Sequence, residues 1–384
     1  MNLRTIMVVA GDPSGDAIAA DLVRVLAAAL PSARFIGAGG PRMAGAGVAN
    51  SFDLTADAVI GLSDVLRKLP RFLRHKRQLT QLATEQKPEL IVLVDFSGFN
   101  SRLVRAIRRR AGAAWRPKIV QYVSPQVWAS RPGRAAQLAR DFDLLLCLFP
   151  FEKEWYARRF PALRVEFTGH PMFDRYPAPV RKTGQVPVVV LLPGSRRAEL
   201  RRHLPVILGA ARLIAARQPA RFKLVAPNEE MAALVRAFPA GAGPEIEIQI
   251  GQLEEALAEA TVAIASTGTV TLECAYWGVP TVALYKTSVW TYLIARQLVT
   301  VKYLAMPNLL ANEALYPEFI QHQATAAKIA GAALELLADP ARRAETQSKL
   351  ARVISTLGGP GAAQRAAAAI LKLTKDEESK PRVA

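Results

Sequence analysis

Two stretches of the chain combine glycine, hydroxyl and charge in ways that suit an anionic ligand. In "LLPGSRRAEL" (191–200) an apolar run stops at Gly194 and Ser195, and Arg196 follows at once. Small residues let backbone N–H groups approach a ligand closely, and a guanidinium offers phosphate a planar, two-pronged contact. In "ASTGTVTLECAYWGVP" (265–280) the residues Ser266, Thr267, Gly268 and Thr269 open a predicted helix. Their hydroxyls and N–H groups sit at its positive end. Glu273 falls one turn later on the same face as Thr269, where a carboxylate can accept hydrogen bonds from ribose hydroxyls. A tight strand-to-helix turn explains the first stretch alone, and an ordinary helix start explains the second. Together they favour a nucleotide diphosphate. There is no GxxxxGK[ST] loop, and "GDPSGD" is not a GxGxxG fingerprint.

The first half holds the candidates for proton transfer. Asp95 ends the apolar run "LIVLVD", a position from which a carboxylate can take a proton from an attacking hydroxyl. It can instead cap the next helix, although Asn100 or Ser101 can do that. In "AGDPSGD" one of Asp12, Ser14 and Asp16 is expected to cap the first helix, leaving the others for substrate. Arg42 in "GGPRM" is available to a phosphate. Ser124 and Trp128 in "YVSPQVWASRPGR" suit a wall for a sugar or acyl chain. His170 reads as structural or substrate-binding, and His75, His203 and His322 give no triad. No residues have metal-ligand spacing.

These residues need elements to hold them. Runs such as "TIMVVAG", "ARFIGAGG", "LIVLVDF", "PKIVQYVS", "FDLLLCLF" and "RVEFTG" read as strands alternating with helices, and a first helix is expected from about Asp16 to Leu30. After a polar, Pro-containing stretch (176–185) the pattern restarts with "VPVVVLLPG", "RFKLVAP", "EIEIQI", "VAIAST" and "PTVALY". Pro205 suits a first helical turn, so 196–203 is expected to be loop. The fold class is α/β: two doubly wound domains with ligands at the C-terminal ends of parallel strands. The expected division is 1–172 and 173–352, with helical 353–373 packing on the first domain or on a partner, and a tail over 374–384.

Composition narrows the function. An apolar content of 51% excludes wholesale disorder, and the apolar runs fall short of the ~18 residues a membrane span needs. No signal-peptide pattern opens the chain, which reads as cytoplasmic. Cys147 and Cys274 are expected to be buried, reduced thiols. A net charge of +18 attracts polyanions: nucleic acid, an anionic membrane surface or phosphorylated substrates. RNA-binding signatures are absent, so no nucleic-acid partner is expected. Over 67–77 cations are interleaved with Leu66, Leu69, Phe72 and Leu73, preceded by Val59, Ile60 and Leu62, a pattern that suits a lipid interface. A helix packing one face on its own domain fits equally, and Pro70 is expected to interrupt any long helix there.

Taken in order, "AGDPSGD", "GGPRM", "VDFSGFN", "YVSPQVWA", "LFPFEKEWY", "TGHP", "LLPGSRRAEL", "STGTVTLE" and "MPNLLANEALYPEFIQ" resemble the lipid-A-disaccharide synthase family, glycosyltransferase family 19, over about residues 5–325. The resemblance implies a GT-B fold with its active site in an interdomain cleft. It implies an inverting transfer of 2,3-diacylglucosamine from UDP to the 6-hydroxyl of 2,3-diacylglucosamine 1-phosphate, giving a β-1,6 disaccharide and UDP. Asp95 matches an aspartate the family requires, as base or as acceptor-positioning group. Arg196, Ser266, Thr267, Gly268, Thr269 and Glu273 fall in the implied UDP site, with Asn308 and Gln321 nearby. Metal independence and no cofactor are implied, as is peripheral association of a cytoplasmic enzyme with the inner membrane. A homodimer is the reasonable assembly. Asp12 stands where the family usually has Glu, Ser97–Gly98 where it has Pro–Asp, and Asp64 where Glu is common. Two alternatives remain at this stage: a UDP-sugar 2-epimerase or other GT-B enzyme, and a non-enzymatic basic protein that binds membrane or nucleic acid.

Overall fold

Strands without a polar face must be covered on both sides, and the central strands of both sheets are of this kind. The computed structural model describes residues 4–57, 62–112, 114–182, 184–239 and 243–375. The chain divides into two units: the described residues up to Arg175 together with those from Leu357 onward, and Tyr176–Thr356.

The first unit carries β1 (Thr5–Ala10), β2 (Arg34–Gly39), β3 (Ala49–Asp53), β4 (Leu90–Val94), β5 (Lys118–Tyr122), β6 (Leu144–Cys147) and β7 (Arg164–Phe167). All pair in parallel, in the order β3-β2-β1-β4-β5-β6-β7. The winding reverses between β1 and β4, which opens a crevice at their C-terminal ends. On one face Met7, Val9, Ile91, Leu93 and Ile119 pack against Leu79, Leu103, Val104 and Ile107 of the helices Leu62–Gln86 and Ser97–Arg110.

The second unit carries β8 (Val188–Leu192), β9 (Arg221–Ala226), β10 (Ile246–Ile250), β11 (Val262–Ser266), β12 (Thr281–Tyr285) and β13 (Glu318–Ile320), again parallel, in the order β10-β9-β8-β11-β12-β13. Its reversal lies between β8 and β11. The two-residue period of a strand is visible in β8: Val189 and Leu191 join Leu204, Ile207 and Ile329, while Val188, Val190 and Leu192 join Leu257 and Cys274 on the other face. Cys147 and Cys274 are both buried free thiols.

Three local expectations fail. The first helix, expected from about Asp16, starts at Pro13 and runs to Ala29, because Asp12, one of the three candidate caps, accepts from the Gly15 N–H at 2.7 Å. The helix after Arg196 runs Arg197–Ala215 straight through Pro205. Helix Leu62–Gln86 likewise contains Pro70. An interior proline costs roughly 3 kcal/mol. The buried stripe Leu200, Leu204, Ile207, Leu208, Ala211 and Ile214 outweighs that in the first case, and Leu79 and Ala83 anchor the second helix.

From Leu357 the chain returns to the first unit. The Asp174 carboxylate accepts from the N–H groups of Gly361 (2.5 Å) and Ala362 (2.9 Å), capping helix Ala362–Lys375. Arg365 Nε donates to the Thr168 carbonyl at 2.7 Å. The helix lies against Pro13–Ala29 and against β5 and β6. Helix Pro340–Ser355 stays with the second unit, and residues 376–384 of the expected tail lie outside the described residues. Asp174→Ala removes this cap, so it is expected to lower stability by about 1 kcal/mol. The loss is checked by thermal unfolding, with faster amide exchange concentrated in 362–375.

Candidate functional site

In the first unit the chemistry gathers where β1 and β4 end. Gly11 leaves β1 without a side chain, and the space is taken: a Cβ there would lie 2.1 Å from Cδ1 of the Phe96 ring. Phe96 reaches that position because Asp95 and Phe96 both have positive φ, 49° and 39°. Two consecutive non-glycine residues in the left-handed region are strained and need surrounding support. The support is polar and buried. The Asp95 carbonyl accepts from Asn100 Nδ2 at 2.6 Å and from Gln121 Nε2 at 2.8 Å, and its N–H donates to the Tyr122 carbonyl. Asn100 and Gln121 are both fully buried.

The Asp12 carboxylate stands across Gly15 from this turn. A Cβ at Gly15 would lie 3.5 Å from Asp12 Oδ1 and 3.6 Å from Asp95 Cβ. Burial, and after it the negative charge of Asp12, push the Asp95 pKa up to about 6, against the opposing hydrogen bond from the Phe96 backbone. A carboxyl group poised there is suited to proton transfer near neutrality.

Other expected residues of this unit divide sharply. Ser14 and Arg42 are exposed. Asp16 is not free for substrate: 2% exposed, it accepts from the N–H groups of Gly40 (2.7 Å), Arg42 (3.0 Å) and Met43 (3.2 Å). It thus caps the short helix Pro41–Gly45, while Asp12 caps the first helix. Ser124 and Trp128 are buried rather than surface-lining; Ser124 Oγ lies 3.4 Å from the Tyr156 hydroxyl and Trp128 Nε1 donates to Glu152 Oε1 at 3.0 Å. Burial raises the Glu152 pKa to about 7. Sequence reasoning passed over Glu152, whose partner is a side chain 24 residues away.

Of the expected lipid segment, Val59 and Ile60 lie outside the described residues. Leu62 and Leu66 belong to helix Leu62–Gln86, with only their backbone described. Leu69 and, one turn on, Leu73 are each 45% exposed. Phe72 points inward instead, its ring 5.8 Å from Phe96 and 6.3 Å from Phe99, because the aromatic turn at Asp95 offers it a partner. That segment and the Asp95 turn are therefore in direct contact.

In the second unit the corresponding reversal brings together the loops after β8 and β11. Gly194 has φ 114°, and a Cβ on it would come within 2.7 Å of Glu199 Oε2 and 3.4 Å of Ser266 Oγ, so only glycine fits. Ser195 and Arg196 are exposed, and the Arg196 guanidinium pairs with Glu199. Gly268, with φ 133°, precedes helix Thr269–Tyr276, whose first turn has no side-chain cap. Its free N–H groups, with Thr267, Gly268 and Thr269 at or near the surface, leave this helix end open to an anion. Ser266 is buried beneath them. Glu273 Oε1 accepts from the Tyr176 hydroxyl at 3.1 Å, a restraint invisible from sequence because the two are 97 positions apart.

Asn308 and Gln321 are committed elsewhere. Asn308 is fully buried, donating to the Tyr316 carbonyl and Glu318 Oε1 (both 2.8 Å) and accepting from the Tyr316 N–H. Gln321 brackets the Thr287 backbone, accepting at 2.9 Å and donating at 3.2 Å. Both amides shape the loops after β12. His203, dismissed as a catalytic group, proves to be a tie. Its Nδ1 lies 2.7 Å from the Pro193 carbonyl and its Nε2 accepts from the Lys286 N–H at 3.0 Å. Burial holds its pKa down, keeping the ring neutral.

The family described as lipid-A-disaccharide synthetase matches residues 6–373. The chain belongs to that family. It is 36% identical over 380 residues to a lipid-A-disaccharide synthase of Geobacter metallireducens, covering 96% of this chain and 97% of the relative. It is thus a glycosyltransferase of lipid A biosynthesis. In fold it resembles a UDP-N-acetylglucosamine 2-epimerase of Listeria monocytogenes (TM-score 0.62, 15% identity, 98% of each chain) and the calicheamicin glycosyltransferase (TM-score 0.60, 18% identity, 100% of each chain). Two Rossmann-like parallel-sheet units, the GT-B plan, are common ground. At such identities the likeness concerns the fold alone. Among the described residues no helix is long and apolar enough to cross a membrane.

Asp95 has a stability signature. Its folded pKa lies above the unfolded value of 3.8, so the folded state holds the proton more tightly and stability falls as pH rises from about 4 to about 6. The full penalty, roughly 3 kcal/mol, is present above that range. Asp95→Asn is expected to raise the denaturation midpoint at pH 7.5 and to leave it unchanged at pH 3.5; denaturant titrations at both pH values decide.

Proposed function

We propose that the protein transfers 2,3-diacylglucosamine from UDP to the 6-hydroxyl of 2,3-diacylglucosamine 1-phosphate with inversion at C1. The observation that carries this reading is the Asp95 turn: a strained, half-buried carboxylate at a sheet reversal, with its pKa raised towards neutrality. Asp95 accepts the proton of the acceptor hydroxyl as that oxygen bonds to C1 of the donor sugar. The C1–O bond to the diphosphate breaks, and its electron pair leaves with UDP. The open end of helix Thr269–Tyr276 receives the growing diphosphate charge, helped by Arg196, which exchanges Glu199 for phosphate. Glu273, oriented by Tyr176, receives the ribose hydroxyls. Asn308, Gln321 and His203 keep these loops in place.

Both substrates are acylated, and the exposed Leu69 and Leu73, flanked by Arg71, Arg74 and Arg77, suit an anionic lipid surface. Sedimentation with anionic vesicles is expected to fall with salt and to fall further in Leu69→Ser/Leu73→Ser. Binding that ignores both changes rules this surface out.

Mass spectrometry of products from the two acylated substrates tests the transfer. The expected products are a tetra-acylated disaccharide phosphate and equimolar UDP, reduced by about 10²- to 10⁴-fold in Asp95→Asn. Release of UDP without disaccharide, or conversion of the UDP-sugar alone, defeats the proposal. The rate is expected to fall below about pH 6 as Asp95 takes up a proton. Asp12→Asn keeps the helix cap but removes the charge that raises this pKa, so the acid limb moves to lower pH. An unmoved limb assigns it to another group.

A further inference from the structure

Beside the Asp95 turn lies an accumulation of positive charge that the transfer chemistry above does not use. Helix Ser97–Arg110 carries Arg102 and Arg105, and the next connection brings Arg131 and Arg134 towards them. Arg134 lines a small cavity with Ser97, Ser101, Pro125 and Gln137. No carboxylate among the described residues pairs with Arg134; Asp141, the nearby acid, is engaged by Arg105 at 3.6 Å and by Gln137 Nε2 at 3.0 Å. Partial burial lowers the Arg134 pKa, and repulsion from Arg131, Arg102 and Arg105 lowers it further. Four guanidiniums close enough to repel one another, one of them lining a cavity, favour an anion among them.

Other groups at the cavity favour the same ligand. The helix Ser97–Arg110 begins after Phe96 without a side-chain cap; the Phe99 and Asn100 N–H groups donate to the Phe96 carbonyl, which leaves those of Ser97 and Gly98 at the positive end of a 14-residue helix. Ser101 Oγ donates to the Ser97 carbonyl at 2.9 Å, leaving its oxygen able to accept, and the Ser97 hydroxyl lines the same space. Arg102 reaches back to the Gly98 carbonyl at 2.7 Å, which holds its charge over the first turn. No aromatic ring lines the cavity to stack a base.

We propose that Arg134, with Arg131, Arg102 and the start of helix Ser97–Arg110, binds a phosphomonoester, and that this is the phosphate carried by the acceptor sugar. The second clause rests on the proposed transfer; the first does not. Ser97 is two residues from Asp95, so a phosphate held here ties down the far end of a sugar whose hydroxyl is offered to that carboxylate. The site thereby distinguishes a phosphorylated acceptor from the same sugar without phosphate.

Two arms separate the clauses. In the first, inorganic phosphate is titrated into full-length protein saturated with UDP, and its 31P line width is followed. Saturable broadening is expected in the wild type, lost in Arg134→Gln and partly kept in Arg134→Lys. Equal broadening in all three overturns the site, whether or not the protein shows transferase activity. In the second, Arg134→Gln is expected to raise KM for the phosphorylated acceptor by about tenfold or more, the loss of one charge-assisted contact, with donor KM unchanged. The effect is expected to vanish for the acceptor lacking its phosphate. An equal loss with both acceptors overturns the second clause. So does weaker sedimentation with anionic vesicles at unchanged acceptor KM, which assigns the site to a lipid headgroup.

Discussion

A strand buried on both faces has no side on which to carry polar chemistry. In β4 and β8 every residue is buried, and the first positions free to interact with a ligand are those just past the strand end. The doubly wound order then does the rest: where neighbouring strands send their helices to opposite faces, their end loops part and leave room. Asp95 beside Asp12 in one unit, and Gly194 beside Ser266 in the other, are products of that single restriction.

The restriction also explains why Asp95 is held so expensively. A carboxylate placed at the edge of an apolar layer loses water, meets the charge of Asp12, and sits on a backbone in a poorly populated conformation. Buried amides from Asn100 and Gln121 hold its carbonyl, and the Phe96 ring fills the hollow over Gly11. The result is a group kept far from its relaxed state by neighbours that have no chemistry of their own. The contact of Phe72 with Phe96 extends this frame to the helix that bears Leu69 and Leu73.

What could be read from the sequence follows from how far each cause reaches along the chain. The apolar strands, the reversal loops and Asp95 were legible, since apolar runs and glycine turns are local signals, whereas the partly exposed β3 and the three-residue β13 were not. So was the open start of helix Thr269–Tyr276. Side-chain bonds between distant residues were not. Asp16 caps a helix 24 residues away, Gln121 supports a carbonyl 26 residues away, and Tyr176 restrains Glu273 across 97. Nothing in the identity of an Asp or Gln announces which backbone group it will meet. Pro205 and Pro70 misled for the opposite reason: a valid local rule was overruled by buried faces on either side.

The return of the chain at Leu357 has a consequence for how the protein is made. Asp174 meets the Gly361 and Ala362 N–H groups, and Arg365 the Thr168 carbonyl, across almost two hundred positions, and the whole second unit is synthesised between these partners. During translation the first sheet emerges early, but the surface formed by helix Pro13–Ala29, β5 and β6 stays uncovered until helix Ala362–Lys375 arrives. The second unit, continuous in sequence, has all its parts before the first unit has its last. The first unit therefore completes its fold only after the second has been made.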